Sequence, residues 1–573
     1  MTWRSDILQG LKADPNVSVL ILGGGVNGVG LLRELALQGV DCLLVDKADF
    51  VAGASSKSSR MIHGGLRYLE HRELRLVRES LFERNRLLEN AAHYVSPEQT
   101  TIPVFSWLGG FLRSALIFTG FPVRPGSRGA LPVKVGLWFY DFVTRKNRRT
   151  PTHYFTSREE SLRTIPGLNP AIVATATYWD AKITQAERLC IELIHDARRA
   201  DPRCRAINYV RPVRLDGGAV VLADEASGET VALRPKVVVN ATGAWVDKTN
   251  AALGLQTRYM GGTKGSHLVL DCPELHDAVG DRMVYYQHAD GRVCIVFTFM
   301  GRVIMGSTDI RVGDPDAAEC DDAEIEYMMT TLRGVFPNVR IPRGKILFTF
   351  CGVRPLPAED KEVLANVSRG HAIEVIEAAP ERPFPLYCLI GGKWTTFRAF
   401  AEQAADRLLP RLGVARRSAT GGVPIGGGKG FPAAPGQRNE WIRGAARASG
   451  LAGDRVAALL ERYGTAAEAY ARKVGAGGEH PLRSLPSYAV EEVGYILETE
   501  YVEHLADLVY RRSVIGLLGD ARPEVLRELA AVAGRVLGWD AAREEQEVRL
   551  AAPPPIGSAS SLTGSPLPLR ERG

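Results

Sequence analysis

The sequence predicts an α/β protein: a parallel, doubly wound domain assembled from separated segments, a second domain built on an antiparallel sheet, and a helical domain near the C-terminal end. Three observations predict it. A buried strand, a glycine turn, a helix, a second strand and an acid follow one another over 19–46. Two later apolar runs, Lys236-Val237-Val238-Val239-Asn240 and Tyr387-Cys388-Leu389-Ile390, each lead straight into a glycine turn. After about Gly426 the composition turns to Ala, Arg, Glu and Leu at helical spacing through Leu537.

The first element is Val19-Leu20-Ile21-Leu22, a run of branched residues that suits a strand buried on both faces. Gly23-Gly24-Gly25-Val26-Asn27-Gly28 follows at once, then the helical pattern Leu31, Leu32, Leu35, Ala36, which Gly39 ends. Leu43-Leu44-Val45 is a second buried strand closing on Asp46. The glycines have separable tasks: Gly23 makes the tight turn, Gly25 lets backbone approach a pyrophosphate, and Gly28 lets helix pack on strand. The helix N-terminus offers unpaired N–H groups and partial positive charge to phosphates. Asp46 is spaced to accept hydrogen bonds from a ribose diol.

Between the nucleotide-binding segments, Ser266–Leu270 and Cys294–Phe299 alternate as strands of an antiparallel sheet. The predicted boundaries are 17–100, 185–262 and 345–415 for the dinucleotide domain, and 101–184 with 263–344 for the second domain. A helical domain at 426–548 and a disordered tail at 551–573, rich in Pro, Ser and Gly, complete the chain. With 573 residues the chain is too long for one core. Its 45% hydrophobic and 24% charged residues are ordinary for a globular protein, and a net charge of +6 is far from a nucleic-acid signature. Eight cysteines show no CxxC pair and no metal-ligand spacing, so they are expected to be reduced thiols of a cytosolic protein, and no metal is expected. No secretion signal and no apolar run of about 18 residues is present, so the chain is expected to be soluble or to lie on a membrane.

The later Ala241-Thr242-Gly243 and Gly391-Gly392 add two backbone approaches that a nicotinamide domain does not need. A flavin dinucleotide does need them, because its ring is reached at the far end. Six further ordered motifs point the same way. They are Ile62-His63-Gly64-Gly65-Leu66-Arg67-Tyr68-Leu69-Glu70, Val239-Asn240-Ala241-Thr242-Gly243, Lys264-Gly265-Ser266-His267, Met305-Gly306-Ser307-Thr308-Asp309, Gly352-Val353-Arg354-Pro355-Leu356 and Gly391-Gly392-Lys393-Trp394-Thr395-Thr396-Phe397-Arg398. With Gly23–Gly28, these make the chain resemble the FAD-dependent, aerobic-type glycerol-3-phosphate dehydrogenases from Val19 to the end of the helical domain. The resemblance implies an FAD-binding Rossmann-like domain, an antiparallel-sheet substrate (cap) domain and a C-terminal helical domain. It also implies oxidation of sn-glycerol 3-phosphate to dihydroxyacetone phosphate, with electrons passing through FAD to membrane quinone.

It assigns candidate residues as well. Cofactor contacts fall on Gly23, Gly25, Gly28, Asp46, Ser55, Ser56, Ser59, Ala241, Gly243, Gly392 and Lys393. The donor-rich loop Ser55–Arg60 would wrap the FAD, or is a solvated serine loop. Arg67 in the family grips the substrate phosphate, with Tyr68 beside it, and Arg354 reads as a second anionic clamp because one guanidinium only partly neutralises a phosphate dianion. Alcohol oxidation needs a base for the hydroxyl proton, and His267 on a predicted inner strand is the first choice, a hydrogen-bonded core histidine being the alternative. Lys393 either holds negative charge beside the reduced flavin or assists with substrate, and Thr308 is a polar pocket residue.

Two features depart from the family core. Its Asp-Asp-Ala-Arg pattern is replaced by Asp180-Ala181-Lys182-Ile183-Thr184-Gln185-Ala186-Glu187-Arg188, which puts substrate preference and inter-subunit contacts, a homodimer among them, in question. The stretch 102–149 is rich in aromatics and cations, with Asp141 its one acid; it reads as a monotopic insertion into anionic lipid or as a buried cap core. A protein peripheral to the inner face of the cell membrane is expected. An oxygen-using oxidase of the same fold, a relative acting on another 2-hydroxy compound, and a non-catalytic flavin-fold scaffold are the other readings.

Overall fold

The computed structural model describes residues 3–66, 73–109, 129–288, 292–358 and 370–556. Asn16–Leu22 is the central strand of the first sheet. It pairs in parallel with Cys42–Val45 on one side and with Thr230–Asn240 on the other. Arg205–Ile207 extends the sheet beyond Cys42–Val45, and Leu386–Gly391 extends it beyond Thr230–Asn240, both in parallel. His371–Ile376 closes that edge antiparallel. Alternate side chains serve opposite cores, which is why these strands read as unbroken apolar runs. Val19, Ile21, Leu44, Val237 and Val239 pack against the helices Val26–Leu37, Ala186–Ala200 and Phe397–Arg411. Leu20, Leu22, Leu43 and Val238 face the helix Trp3–Ala13 and the hairpin Val210–Asp216/Ala219–Asp224.

The second sheet is mainly antiparallel. Its order is Ile310–Arg311, Thr263–Leu270, Arg302–Gly306, Val293–Phe299, Met283–Gln287, Val95–Val104, Ala174–Ile183 and Met61–Ile62. Ile346–Arg354 also pairs with Thr263–Leu270, residue for residue from Thr263↔Arg354 to Val269↔Phe348. The second sheet therefore reaches past the expected boundary at 344, and its strands Met61–Ile62 and Val95–Val104 begin before 101. Helices Pro273–Val279 and Asp322–Arg333 cover one face through Leu275, Ile325, Met328 and Leu332. Beyond residue 426 six helices of eight residues or more, from Pro435–Ser449 to Ala541–Ala551, form the C-terminal domain among the described residues. The last of them carries buried Val548 and Ala551, so helix reaches to 551, and residues 557–573 of the expected tail lie outside the described residues.

Buried ion pairs join the first and last domains, and the most deeply buried is centred on Asp49. Arg512 donates from both terminal nitrogens to Asp49, each at 2.8 Å, and Arg511 Nε donates to the same carboxylate. The Arg512 and Asp49 side chains are fully buried. Burial by itself would raise the Asp49 carboxyl, but Arg512 and Arg511 outweigh it and hold the group well below the usual carboxylate range. Removing one partner leaves a bare charge in a dry interior. Arg512→Met is expected to cost about 3–5 kcal/mol of stability, read as a fall in denaturation midpoint. Because the folded carboxyl is the stronger acid, the wild-type stability supplied by this pair is present above pH 4 or so and is lost as pH falls below it.

Candidate active site

The carboxyl ends of the three central strands open onto a cavity of about 250 Å³. Gly23, Gly25, Asp46, Ser55, Ala241 and Gly243 all line it, so six of the expected cofactor residues meet on one surface. Gly23 turns the chain with φ +107°, and a Cβ there would lie 2.7 Å from the Ala241 carbonyl oxygen. Gly28 sits beneath the turn, where a Cβ would come within 1.9 Å of the Gly23 carbonyl. These two are small because protein presses on them. Gly25 differs: among the described residues the only neighbour a Cβ would meet is Ser55 Oγ at 3.3 Å, so the protein described does not demand a glycine.

The helix Val26–Leu37 starts at this surface, and Ser55 Oγ accepts from the Val26 N–H at 3.0 Å. Asp46 accepts from the Gly24 N–H at 2.6 Å and the Ala48 N–H at 2.9 Å. Burial raises its carboxyl to about 6 against the pull of those two N–H groups. Asn27 also lines the cavity; its Nδ2 donates to the Gly391 carbonyl, while its buried Oδ1 has no partner among the described residues. Glycine-poor sterics at Gly25, an orphaned amide oxygen and a helix N-terminus fit a dinucleotide lying along this floor. Gly392 is drawn in from the far end: a Cβ there would meet Asn27 Nδ2 at 2.8 Å. Ser56 Oγ donates to the Gly53 carbonyl within its own loop.

Several lining or bridging residues besides Asn27 escaped the sequence reading, Lys47, Trp245, Lys248 and Asp316 among them. Lys47 follows Asp46 and lies 4.7 Å over the Trp245 ring. Trp245 Nε1 donates to Asp316 at 2.6 Å, and Lys47 and Lys248 pair with the same carboxylate. Asp316 is held down at about 2: burial opposes, and hydrogen bonds from Lys248, Lys47 and Trp245 win. The available signal was adjacency, since Lys47 follows the ribose acid and Trp245 closes the second glycine turn.

A second cluster lies on the antiparallel sheet. His267 is almost wholly buried on Thr263–Leu270, with Ser59 Oγ 2.9 Å from its Nε2 and Phe350 stacked on its ring at 4.8 Å. A Cβ at Gly306, the residue opposite in register, would come within 2.3 Å of the imidazole. Burial first, then Arg354 and Arg60, push His267 down to about 3, so the ring is neutral. Arg354 lies flat over Gly265, two residues before His267 on the same face of its strand. Its terminal nitrogens donate to Ser307 Oγ at 2.9 Å, the Thr308 carbonyl at 3.0 Å, and Asp309 and the Lys264 carbonyl at 3.2 Å. The guanidinium is fixed in place and partly exposed. Lys393 Nζ donates to Ser80 Oγ at 2.9 Å.

Thr308 is placed differently from the expectation of a pocket residue. Its buried hydroxyl donates to Glu324 and accepts from the Ser266 N–H, tying strand to helix. The expected phosphate ligand Arg67 and its substrate-binding neighbour Tyr68 lie outside the described residues. The loop leading to them is firmly held, because the Gly64 N–H donates to both Tyr140 Oη and Asp180, each at 3.0 Å.

The family model of the FAD dependent oxidoreductases matches residues 18–407, and that of the C-terminal domain of alpha-glycerophosphate oxidase matches 418–544. A glycerol-3-phosphate dehydrogenase of Synechocystis is 32% identical over 87% of this chain and 89% of its own length. A D-erythritol 1-phosphate dehydrogenase of Brucella abortus is 30% identical over 70% of this chain and 76% of its own. The structure of a Bacillus halodurans glycerol-3-phosphate dehydrogenase complexed with FAD superposes with a TM-score of 0.71 at 23% identity, covering 100% of this chain and 99% of that one, and shares the fold. FAD is the cofactor, and the chain belongs to the FAD-dependent glycerol-3-phosphate dehydrogenase family.

Proposed function

We propose that this chain oxidises sn-glycerol 3-phosphate to dihydroxyacetone phosphate with FAD as hydride acceptor, and passes the electrons to membrane quinone. The observation that carries the reading is the neutral, buried His267 beside a fixed Arg354 on one sheet face, in a chain whose glycine turn suits the dinucleotide. Gly23, Gly25, Ser55, Ala241, Gly243 and Asp46 would hold the adenosine and diphosphate; Gly392 and Lys393 would face the ring end. Bound FAD supplies the two-electron acceptor, which leaves the protein one chemical task, removal of the alcohol proton.

His267 accepts that proton as a neutral imidazole. Arg354 receives the phosphate, its fork already oriented by Ser307 and Thr308. The anion then offsets one of the two cations that depress the imidazole, so substrate binding itself raises the basicity of His267. Lys393 balances negative charge that develops at the ring end.

Lipid contact is the second part of the reading. The helix Ala130–Thr144 buries Val133, Leu137 and Tyr140 on one side and exposes Leu131, Val135, Trp138 and Phe142 on the other. Trp138 and nearby Trp107 are each 61% exposed; Lys134, Arg145, Lys146 and Arg148 are exposed on the same helix or directly after it, with Arg145 4.1 Å over the Phe142 ring. Exposed aromatics in a basic surround suit an anionic bilayer surface. No helix among the described residues is long and apolar enough to cross a membrane. The Brucella relative favours a second reading, a longer polyol phosphate as substrate.

Anaerobic mixing of the FAD-loaded protein with glycerol 3-phosphate is expected to bleach the flavin within the turnover time, and a quinone analogue to restore the colour faster than oxygen. Faster bleaching by erythritol phosphate would move the assignment to the second reading, and no bleaching by either would end it. His267→Gln is expected to slow flavin reduction by about 10²–10⁴-fold, the range for losing a general base, in the same stopped-flow trace. Asp46 must be ionised to accept the ribose diol, so FAD affinity is expected to fall as pH drops below about 6 and to level off above it, read by flavin fluorescence titration. Replacing Trp138 and Phe142 together by Ser is expected to weaken sedimentation with phosphatidylglycerol vesicles by at least about tenfold, since each anchor buries roughly 1.5–3 kcal/mol of apolar side chain.

A further inference from the structure

We propose that Tyr510 is a positioning residue: the C-terminal helical domain sets the plane of the His267 imidazole through a column of stacked rings. The inference rests on the reading that His267 takes the substrate proton. Tyr510 stacks on Phe348 at 5.7 Å and 23°, Phe348 leads to Phe350 at 6.3 Å and 28°, and Phe350 lies on His267 at 4.8 Å and 7°. Phe348 and Phe350 are two apart on Ile346–Arg354 and so share a face, and Phe350 stands opposite His267 in the strand register. Four rings thus run from one domain into the reacting face of another.

The C-terminal end of the column is built into its place. A Cβ at Gly516 would come within 2.1 Å of the Tyr510 ring, so only glycine lets the turn fold over it. Tyr510 Oη donates to the Ala551 carbonyl at 2.9 Å. Leu517 is buried in the same cluster as Phe350, and the Leu518 carbonyl accepts from Arg302 Nε at 3.2 Å. The adjacent Arg511 and Arg512 anchor the turn to Asp49. Turn, sheet and dinucleotide loop are therefore tied at one point.

An imidazole needs such support because the torsion about its last bond has broad wells, unlike an sp³–sp³ torsion. Packing decides the plane, and a base displaced by about 1 Å can lose about 10²-fold in rate. Leucine keeps the site apolar but is smaller than the tyrosine ring and offers no flat face, so the column loses its support at that end. The column therefore acts on the chemical step and not on substrate capture.

The test uses the FAD-loaded full chain, with flavin content and thermal midpoint as folding controls and all rates expressed per bound flavin. Tyr510→Leu is expected to slow anaerobic flavin reduction by glycerol 3-phosphate about tenfold while KM stays within about twofold, the split expected of misplacement of a catalytic group. Tyr510→Phe keeps the ring and is expected to restore the rate, and Phe348→Leu, which cuts the column one ring further in, to reproduce the loss should Tyr510→Leu fold poorly. Normal reduction per flavin in the leucine variants, or an equal loss in Tyr510→Phe, overturns the proposal. If His267→Gln reduces flavin at the wild-type rate, the base assignment fails and takes the column with it; an inactive His267→Gln beside a fully active Tyr510→Leu strikes the column alone.

Discussion

Three parallel strands end at one level, and the space beyond their carboxyl ends is the constraint on which the molecule is organised. Asn16–Leu22 is hydrogen-bonded on both sides, so its last carbonyls and the turn after it are positioned by two neighbours. Gly23 must pass the Ala241 carbonyl closely, and the helix after it must pass Gly23 more closely still. Those contacts leave the helix N-terminus, with its partial positive charge, pointing at the open end of the sheet. A cavity at this place follows from the topology of parallel sheets and needs no dedicated wall. The second sheet then supplies the reacting face, so coenzyme and acid–base chemistry are furnished by different layers.

Charge is distributed between the layers according to how dry each place is. His267 is kept neutral because burial and two guanidinium groups oppose its protonation. Asp46 sits at the boundary of ionisation because two backbone N–H groups only partly offset its burial. Arg354 is partly exposed and is held by the Lys264 and Thr308 carbonyls, the Ser307 hydroxyl and the Asp309 carboxylate. Asp49 is the extreme case, a carboxylate with no solvent and two arginines. His267, Asp46 and Asp49 each depart from their solution behaviour for a reason visible in their neighbours.

The sequence was most legible where function is local. Strand, turn, helix, strand and acid all fall within 19–46, and every one stands where spacing predicted. Ala241 to Gly243 and Gly392 were legible because each ends an apolar run. Membership of a sheet was not: Ile346–Arg354 alternates in the same way whichever sheet it joins, and only pairing with Thr263–Leu270 assigns it. The role of Thr308 was hidden because its partner Glu324 approaches from a neighbouring helix. Nothing in the spacing of Lys47, Trp245, Lys248 and Asp316 announces that they meet. Tyr510 and Phe350 are separated by most of a domain, and a ring stack carries no periodic signature.

The clamp on Asp49 also bears on how the chain comes off the ribosome. Its bidentate partner, Arg512, lies 463 residues downstream. Until that segment has been synthesised, the loop after the second strand holds a carboxylate that cannot be dehydrated without a large penalty. The central strand likewise waits for Thr230–Asn240 before its second edge is covered. Long-range pairings of this kind are slow to form and leave sticky edges exposed in the interim. The nascent polypeptide therefore completes its amino-terminal layer only when synthesis is nearly finished, and early termination anywhere before that arginine yields a fragment with an unquenched acid at its heart.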